Sequence, residues 1–300
     1  MLRFFKEIKK NLITYFELIK PKIVFANLLS ATVGYCVSLD SSFVFQNFFY
    51  LIFGLFFIIS CGCILNNIID RKIDKKMCRT KNRALVKKKI SIRNAFIFSI
   101  FSFFCGSFFL LHFCNKLVYF FSFCGLLVYV FLYSIILKRR SKYSTIFGSI
   151  SGACPVLVGY FLNTSCCNFQ CIVLFFIFFV WQIPHFYSIS LLHLNDYRIA
   201  KIPVFPVVDK INTTINNMYF YVILLIFLTF LFGVLNSFNY FYFLMFFLLG
   251  VFWLFLIFQG NNFTPKKSKN FLKMLKISIF YIIFFDLFIL LNKFIFKYIF

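Results

Sequence analysis

The 23 residues from Gln46 to Ile68, QNFFYLIFGLFFIISCGCILNNI, carry no charged side chain. A bilayer core of about 30 Å is spanned by roughly 20 apolar residues of helix. Backbone polar groups in lipid must be satisfied within the segment, so such a run has to be helical. Nine apolar segments of this kind can be read, at 23–39, 46–68, 94–113, 117–137, 145–162, 169–190, 218–235, 240–259 and 276–292. The chain is 62% hydrophobic, against about 45–50% in a soluble domain. The expected fold is an all-α polytopic membrane protein with about nine transmembrane helices, forming a single domain over 1–300. Its partner at large is the lipid bilayer.

The connections alternate in character. SLDSSFVFQ, CNKL, LNTSCCN and NSFN are short and nearly uncharged, and the others are basic. Of 32 Lys and Arg, 29 fall on one side of the alternation, 11 of them between Arg71 and Arg93; Lys116, Lys293 and Lys297 fall on the other. Positive charge collects on the cytoplasmic side of membrane proteins. The N-terminus and the charged loops are therefore expected in the cytoplasm, and the C-terminus outside. The same rule accounts for the net charge of +24, so no nucleic-acid partner is inferred. The N-terminal MLRFFKEIKKNLITYFELIK is charged throughout and lacks a small-residue cleavage site, so it does not read as a signal peptide. Most of the 11 Cys lie in apolar runs and read as small hydrophobes. Neither Cys61/Cys63 nor Cys166/Cys167 has a second Cys/His pair at zinc spacing.

The second apolar segment ends in Asn66, Asp70 and Asp74, and ten Lys and Arg lie between Ile64 and Lys89. Spacing of i, i+4 and i+8 puts the three oxygen-bearing side chains on one helix face. Two carboxylates and an amide form a hard-oxygen site suited to Mg²⁺, which takes substrate phosphates and water for its remaining positions. The bland alternative is a solvated helix end, with Asp70 and Asp74 paired to Arg71, Lys75 or Lys76. The following RTKNR places Arg79, Lys81 and Arg83 beside the carboxylates. Arg offers a planar fork to phosphate oxygens and Lys a point charge. The positive-inside rule explains the cations alone, whereas a diphosphate bridged by Mg²⁺ explains cations and carboxylates together. Farther on, YSIILKRRSKY sets Tyr133 one and a half helical turns before Lys138 and Arg139; it also reads as an interfacial anchor.

The sixth segment carries Trp181, Gln182 and His185 around Pro184, then Asn195, Asp196 and Lys201. His185 is either a hydrogen-bonded core histidine or a ligand for a metal or haem. His193 reads as interfacial and His112 as incidental. Asp286 either pairs with Lys293 or lines a cavity. The Asn/Asp endings of the second and sixth segments form a weak internal repeat. They suggest two four-helix halves plus one helix, around a central cavity capped on the cytoplasmic side.

On KPKIVFANLLSATVGY, LNNIIDRKIDKKMCRTKNRALV, YSIILKRRSKYSTIFGSISGACPVLVGY and WQIPHFYSISLLHLNDYRIAKIPVFPVV, the chain resembles the UbiA-type intramembrane prenyltransferases, and most of all their haem-modifying branch. The resemblance implies transfer of farnesyl from farnesyl diphosphate to a vinyl group of protohaem IX, in the bacterial inner membrane. It implies Mg²⁺ on Asn66, Asp70 and Asp74, and catalysis by Asp70, Asp74, Tyr133, Lys138 and Asp196. It further implies diphosphate held by Arg71, Arg79, Lys81, Arg83, Arg139 and Lys201, and haem oriented by Trp181, Gln182 and His185. A haem-handling protein or terminal oxidase would be the downstream partner. Many members end the sixth helix with two Asp four residues apart; here Ala200 and Lys201 follow Asp196. Two alternatives remain open: a relative acting on a quinone precursor or chlorophyllide, and a transporter with an intramembrane anion site.

The charge asymmetry yields a topology test. On a Cys-depleted background, Asn82→Cys should resist an impermeant thiol reagent added outside spheroplasts and react once the membrane is opened; labelling from outside would reverse the orientation.

Overall fold

The structure, a computed structural model, describes residues 12–39, 43–260 and 268–295. Helix α1 covers residues 12–18. There follow α2 (Pro21–Val37), α3 (Phe45–Asp74), α4 (Ile92–Phe113) and α5 (Lys116–Leu127), which continues as a π-helix (Val128–Leu137). Next come α6 (Ser144–Tyr160), α7 (Phe169–Leu192), the short α8 (Leu194–Ile199) and α9 (Phe205–Val208), then α10 (Ile211–Leu235), α11 (Tyr240–Gly260) and α12 (Ser268–Ile295). Among the described residues there is no strand.

Polar residues at the expected breaks start several helices. Ser91 accepts a hydrogen bond from the Asn94 N–H at 3.1 Å, Asn115 from Val118 at 2.9 Å and Asn168 from Cys171 at 2.9 Å. Each satisfies a first-turn donor that the helix cannot. Among the described residues, seven helices are long and apolar enough to cross a membrane. The other two apolar helices, α2 and α6, have 17 residues each, or roughly 26 Å at 1.5 Å per residue. The expected set of about nine transmembrane helices thus corresponds, among the described residues, to seven long apolar helices and two short ones, and length alone does not confirm the count of nine. The outer faces of α4 and α11 present exposed Phe101, Phe104, Phe108, Phe252, Phe255 and Phe258, a surface solvated by lipid chains rather than by water. The inner face of α4 is small: Ala95, Ser99, Ser102 and Gly106 are buried, which lets helix backbones approach.

The two short helices cross each other. A Cβ added at Gly34 would stand 1.9 Å from the Val156 carbonyl oxygen, and one at Gly159 would stand 1.8 Å from that of Ala31. The contact is reciprocal and lies within matching tripeptides, Val33-Gly34-Tyr35 and Val158-Gly159-Tyr160. Each short helix opens one half of the chain, so the halves meet through equivalent elements. The pairing of α3 with α4 is matched by that of α7 with α10, and α12 closes the bundle against α7, α11 and α2.

Because the obstacles at both glycines are backbone atoms, Gly34→Ala and Gly159→Ala should each cost about 1–3 kcal/mol by overpacking. Lower thermal midpoints and less monodisperse protein in detergent are expected. Wild-type midpoints for both would show that the helices separate without penalty.

Candidate active site at the charged end of the bundle

The last three turns of α3 set the site. Asn66, Asp70 and Asp74 share one face and are 3%, 0% and 4% exposed. Asn66 donates through Nδ2 to Asp70 Oδ2 and to Ser134 Oγ, both at 2.9 Å. Each of the three then meets a cation from a different part of the chain. Lys20, between α1 and α2, donates to Asn66 Oδ1 at 2.5 Å. Lys138, at the end of the π-helix, is ion-paired to Asp70 Oδ2. Arg83, from the charged loop, is ion-paired to Asp74 Oδ2 at 2.6 Å. The bland pairing with Arg71, Lys75 or Lys76 does not occur. Burial and the nearby Arg83 lower the Lys20 pKa to about 8. For Lys138, burial pulls downward, but Tyr133 and Asp70 outweigh it and the pKa is raised.

The π-helix explains how Lys138 arrives there. In an α-helix five residues make roughly 1.4 turns, so Tyr133 and Lys138 would point apart. Here Lys138 N–H bonds to the Tyr133 carbonyl at 2.9 Å, and Ser134 Oγ to the Tyr129 carbonyl at 2.8 Å. The winding stacks residues five apart, and Lys138 Nζ lies 5.7 Å from the Tyr133 ring centroid. The Tyr129 and Tyr133 rings stack at 5.9 Å, 14° from parallel. Each lies against a glycine of a neighbouring helix, Gly62 for Tyr129 and Gly148 for Tyr133.

The other end-cap cations sit around this core. Arg139 Nη2 donates to the Ile69 carbonyl at 2.7 Å. Arg71 is half-buried, and Arg79, Lys81 and Lys201 are exposed, Lys201 with a left-handed backbone (φ 55°). Asp196 is tied to the loop: its two oxygens accept the backbone N–H of Cys78 at 3.1 Å and of Arg79 at 3.2 Å. Thr80 Oγ1 donates to the Asp74 carbonyl at 3.1 Å. The second helix-end aspartate thus holds the segment that carries Arg79, Lys81 and Arg83.

Deeper in the bundle, α7 is fastened to α12. Trp181 Nε1 donates to the Ser278 carbonyl at 2.6 Å and stacks on the His185 ring at 5.0 Å. His185 Nδ1 lies 2.7 Å from Ser278 Oγ, which donates its own hydrogen to the Leu275 carbonyl at 2.7 Å. The hydrogen-bond network therefore assigns the proton to Nδ1, leaving Nε2 with its lone pair. Gln182 Nε2 donates to the Phe178 carbonyl at 2.9 Å. Helix α7 ends at Leu192, so His185 lies roughly 10 Å inside that end at 1.5 Å per residue. Elsewhere, Asp286 Oδ1 is buried without a hydrogen-bond partner among the described residues, and Lys293 donates to the Leu39 carbonyl.

Asp70 Oδ1 is likewise buried and without a hydrogen-bond partner among the described residues, on the helix face it shares with Asn66 and Asp74. These hard donors fit Mg²⁺. Among the described residues no group of three or more His, Cys, Asp and Glu converges. Two carboxylates and one amide cannot fill an octahedron, so such an ion needs oxygen from a bound substrate.

The UbiA prenyltransferase family model matches residues 27–280. The chain belongs to this family. One relative of this UbiA-family prenyltransferase, the protoheme IX farnesyltransferase of Blochmanniella pennsylvanica (strain BPEN), is 37% identical over 284 residues, covering 94% of this chain and 97% of its own. A solved structure bearing on digeranylgeranylglyceryl phosphate synthase in membranes has a TM-score of 0.72 at 19% identity, covering 95% of this chain and 97% of its own. A UbiA homolog from Archaeoglobus fulgidus bound to DMAPP and Mg²⁺ gives 0.69 at 15%, covering 89% and 97%. At these identities the two structures share the fold.

Sequence reasoning named Lys138 and Arg83, which the UbiA fold brings onto the carboxylates. It passed over Lys20, Ser134 and Tyr129. It also passed over Asn67, whose Nδ2 donates to the Leu18 carbonyl at 2.7 Å and ties α3 to α1. A lysine directly before the helix-starting Pro21 was the available signal for the first of these.

Replacing Asp196 by Ala frees two backbone donors, a loss of about 1–3 kcal/mol if they stay buried. Trypsin should then cut at Arg79 and Lys81 several-fold faster while the bundle keeps its thermal midpoint. Wild-type cleavage rates would show that Asp196 does not hold the loop.

Proposed function

We propose that this UbiA-family protein transfers the farnesyl group of farnesyl diphosphate to a vinyl group of protohaem IX, with addition of water, giving haem O and diphosphate. One observation supports this reading above the rest. A fully buried Asp70 lies between Asn66 and Asp74, with cations from three separate elements gathered on them, in a chain 37% identical to a relative named for that activity. The substrate has a charged head and an apolar tail, and a polar cap on an apolar bundle suits both. The cap would face the cytoplasm of a bacterial inner membrane, and the product would pass to a haem-handling protein or terminal oxidase.

In this reading Asn66, Asp70 and Asp74 hold Mg²⁺, which offsets the diphosphate charge when bound. Lys138, Arg83, Arg79 and Lys81 bind the phosphate oxygens and stabilise the charge that builds as the allylic C–O bond breaks. Arg71, Arg139 and Lys201 extend the cationic rim. The bonding pair leaves with the diphosphate. The Tyr133 face steadies the allylic cation. The vinyl pair of the haem then forms the new C–C bond, placing the positive charge on the carbon next to the porphyrin. Water adds there and loses a proton. Trp181 and Gln182 shape the haem side, and His185 presents Nε2 toward the ring system. A neutral imidazole is a common iron ligand.

Expression in a bacterial host that lacks haem O should produce a pigment that elutes later than haem B on reverse-phase chromatography. Asp70→Asn should abolish it. His185→Ala should alter the Soret band or weaken haem binding while diphosphate binding is kept. Unchanged haems, with prenylated quinone or chlorin instead, would overturn the acceptor assignment.

A further inference from the structure

The three side chains suited to the metal each have one oxygen engaged by a cation: Asn66 by Lys20, Asp70 by Lys138 and Asp74 by Arg83. Lys20 is held there by its backbone. It has φ 56° and ψ 68°, a left-handed conformation costing roughly 1–2 kcal/mol for a residue with a side chain. It also precedes Pro21, where extended backbone is the norm. Its carbonyl accepts the N–H of Ile23 at 2.9 Å and of Val24 at 3.2 Å, and its own N–H donates to the Glu17 carbonyl at 3.3 Å. Strain of this kind persists where the surroundings fix it and clusters at working sites. Asn66 is oriented to match, since its Nδ2 is committed to Asp70 and Ser134 and only Oδ1 is turned to Lys20. Among the described residues the buried Asp70 Oδ1 has no hydrogen-bond partner.

Charge balance then fixes what can bind. A divalent ion arriving alone would meet three cations already on the cluster, and to bind through Asn66 Oδ1, Asp70 Oδ2 and Asp74 Oδ2 it would have to push them off and leave them unpaired in a half-buried site. A diphosphate arriving alone could recruit the cations, but it would strip the carboxylates and lie against them, like charge on like. When both arrive, the cations move to the phosphates and the metal takes the oxygens they leave, so every charge keeps a partner.

We propose that Lys20 is a further residue of the diphosphate site, and that Lys20, Lys138 and Arg83 stand in the metal's place on Asn66, Asp70 and Asp74 until metal and diphosphate load together. The proposal rests on the metal–diphosphate reading given above. It makes binding of metal and of diphosphate mutually dependent, and by reciprocity each should tighten the other by the same factor.

The test is Mn²⁺ titration of the full chain in detergent, followed by the electron paramagnetic resonance of free Mn²⁺. It is run with and without inorganic diphosphate and corrected by a protein-free Mn²⁺–diphosphate series. Wild type should bind Mn²⁺ weakly alone and about 10- to 100-fold more tightly with diphosphate, a normal range for coupled sites. Lys20→Met should bind Mn²⁺ alone more tightly than wild type and lose most of the enhancement by diphosphate. Lys20→Arg, which keeps the charge should the Met variant fold poorly, should retain part of it. Tight Mn²⁺ binding by wild type without diphosphate, or equal enhancement in wild type and either Lys20 variant, would overturn the proposal. Asp70→Asn separates the two layers: if it binds Mn²⁺ with diphosphate as wild type does, the underlying metal–diphosphate reading fails.

Discussion

A carboxylate with no exposed surface, at the end of a helix that has just crossed an apolar bundle, must find its counter-charge inside the protein. Losing one partner of such a buried pair is costed at about 3–5 kcal/mol. Asp70 is in that position, and its partner Lys138 comes from 68 residues away. The demand reaches beyond one pair. The hinge between α1 and α2, the end of the π-helix and the charged loop all converge because α3 delivers three oxygens at one place. The bundle supplies the rigid helices, and these polar contacts set where their ends must meet.

The two halves of the chain resemble each other in path and differ in use. Their first helices cross glycine on carbonyl, in both directions. Their second long helices both end near aspartate. In the first half the acids face the cation cluster. In the second, Asp196 turns its oxygens onto two backbone amides of the neighbouring loop. A near-symmetric frame thereby carries an asymmetric site, one helix end offering oxygens and the other fixing the loop that covers them.

Much of this was legible in the sequence because it follows from period and composition. Long apolar runs dictated helices, and i, i+4 spacing placed Asn66, Asp70 and Asp74 on one face. The glycine crossing was present as a repeated Val-Gly-Tyr, but three residues repeated 125 positions apart mean little until the backbones are seen touching. Lys20 escaped notice because its role depends on a left-handed backbone that its sequence position disfavours. The role of Asp196 was invisible because its partners are peptide N–H groups, which every residue but proline has. The separation of Tyr133 and Lys138 was misread because α-winding was assumed.

A ten-residue stretch of π-winding stores more residues per unit length than an α-helix of the same span, so it works as a local change of gear. Everything before Val128 and everything after Leu137 keeps its own angular setting only while that count is held. Losing one residue from the stretch would turn Lys138 around the helix axis and away from Asp70. The register of the site is thus counted in residues within the π-helix, and a length change there would be felt as a rotation rather than as a shortening.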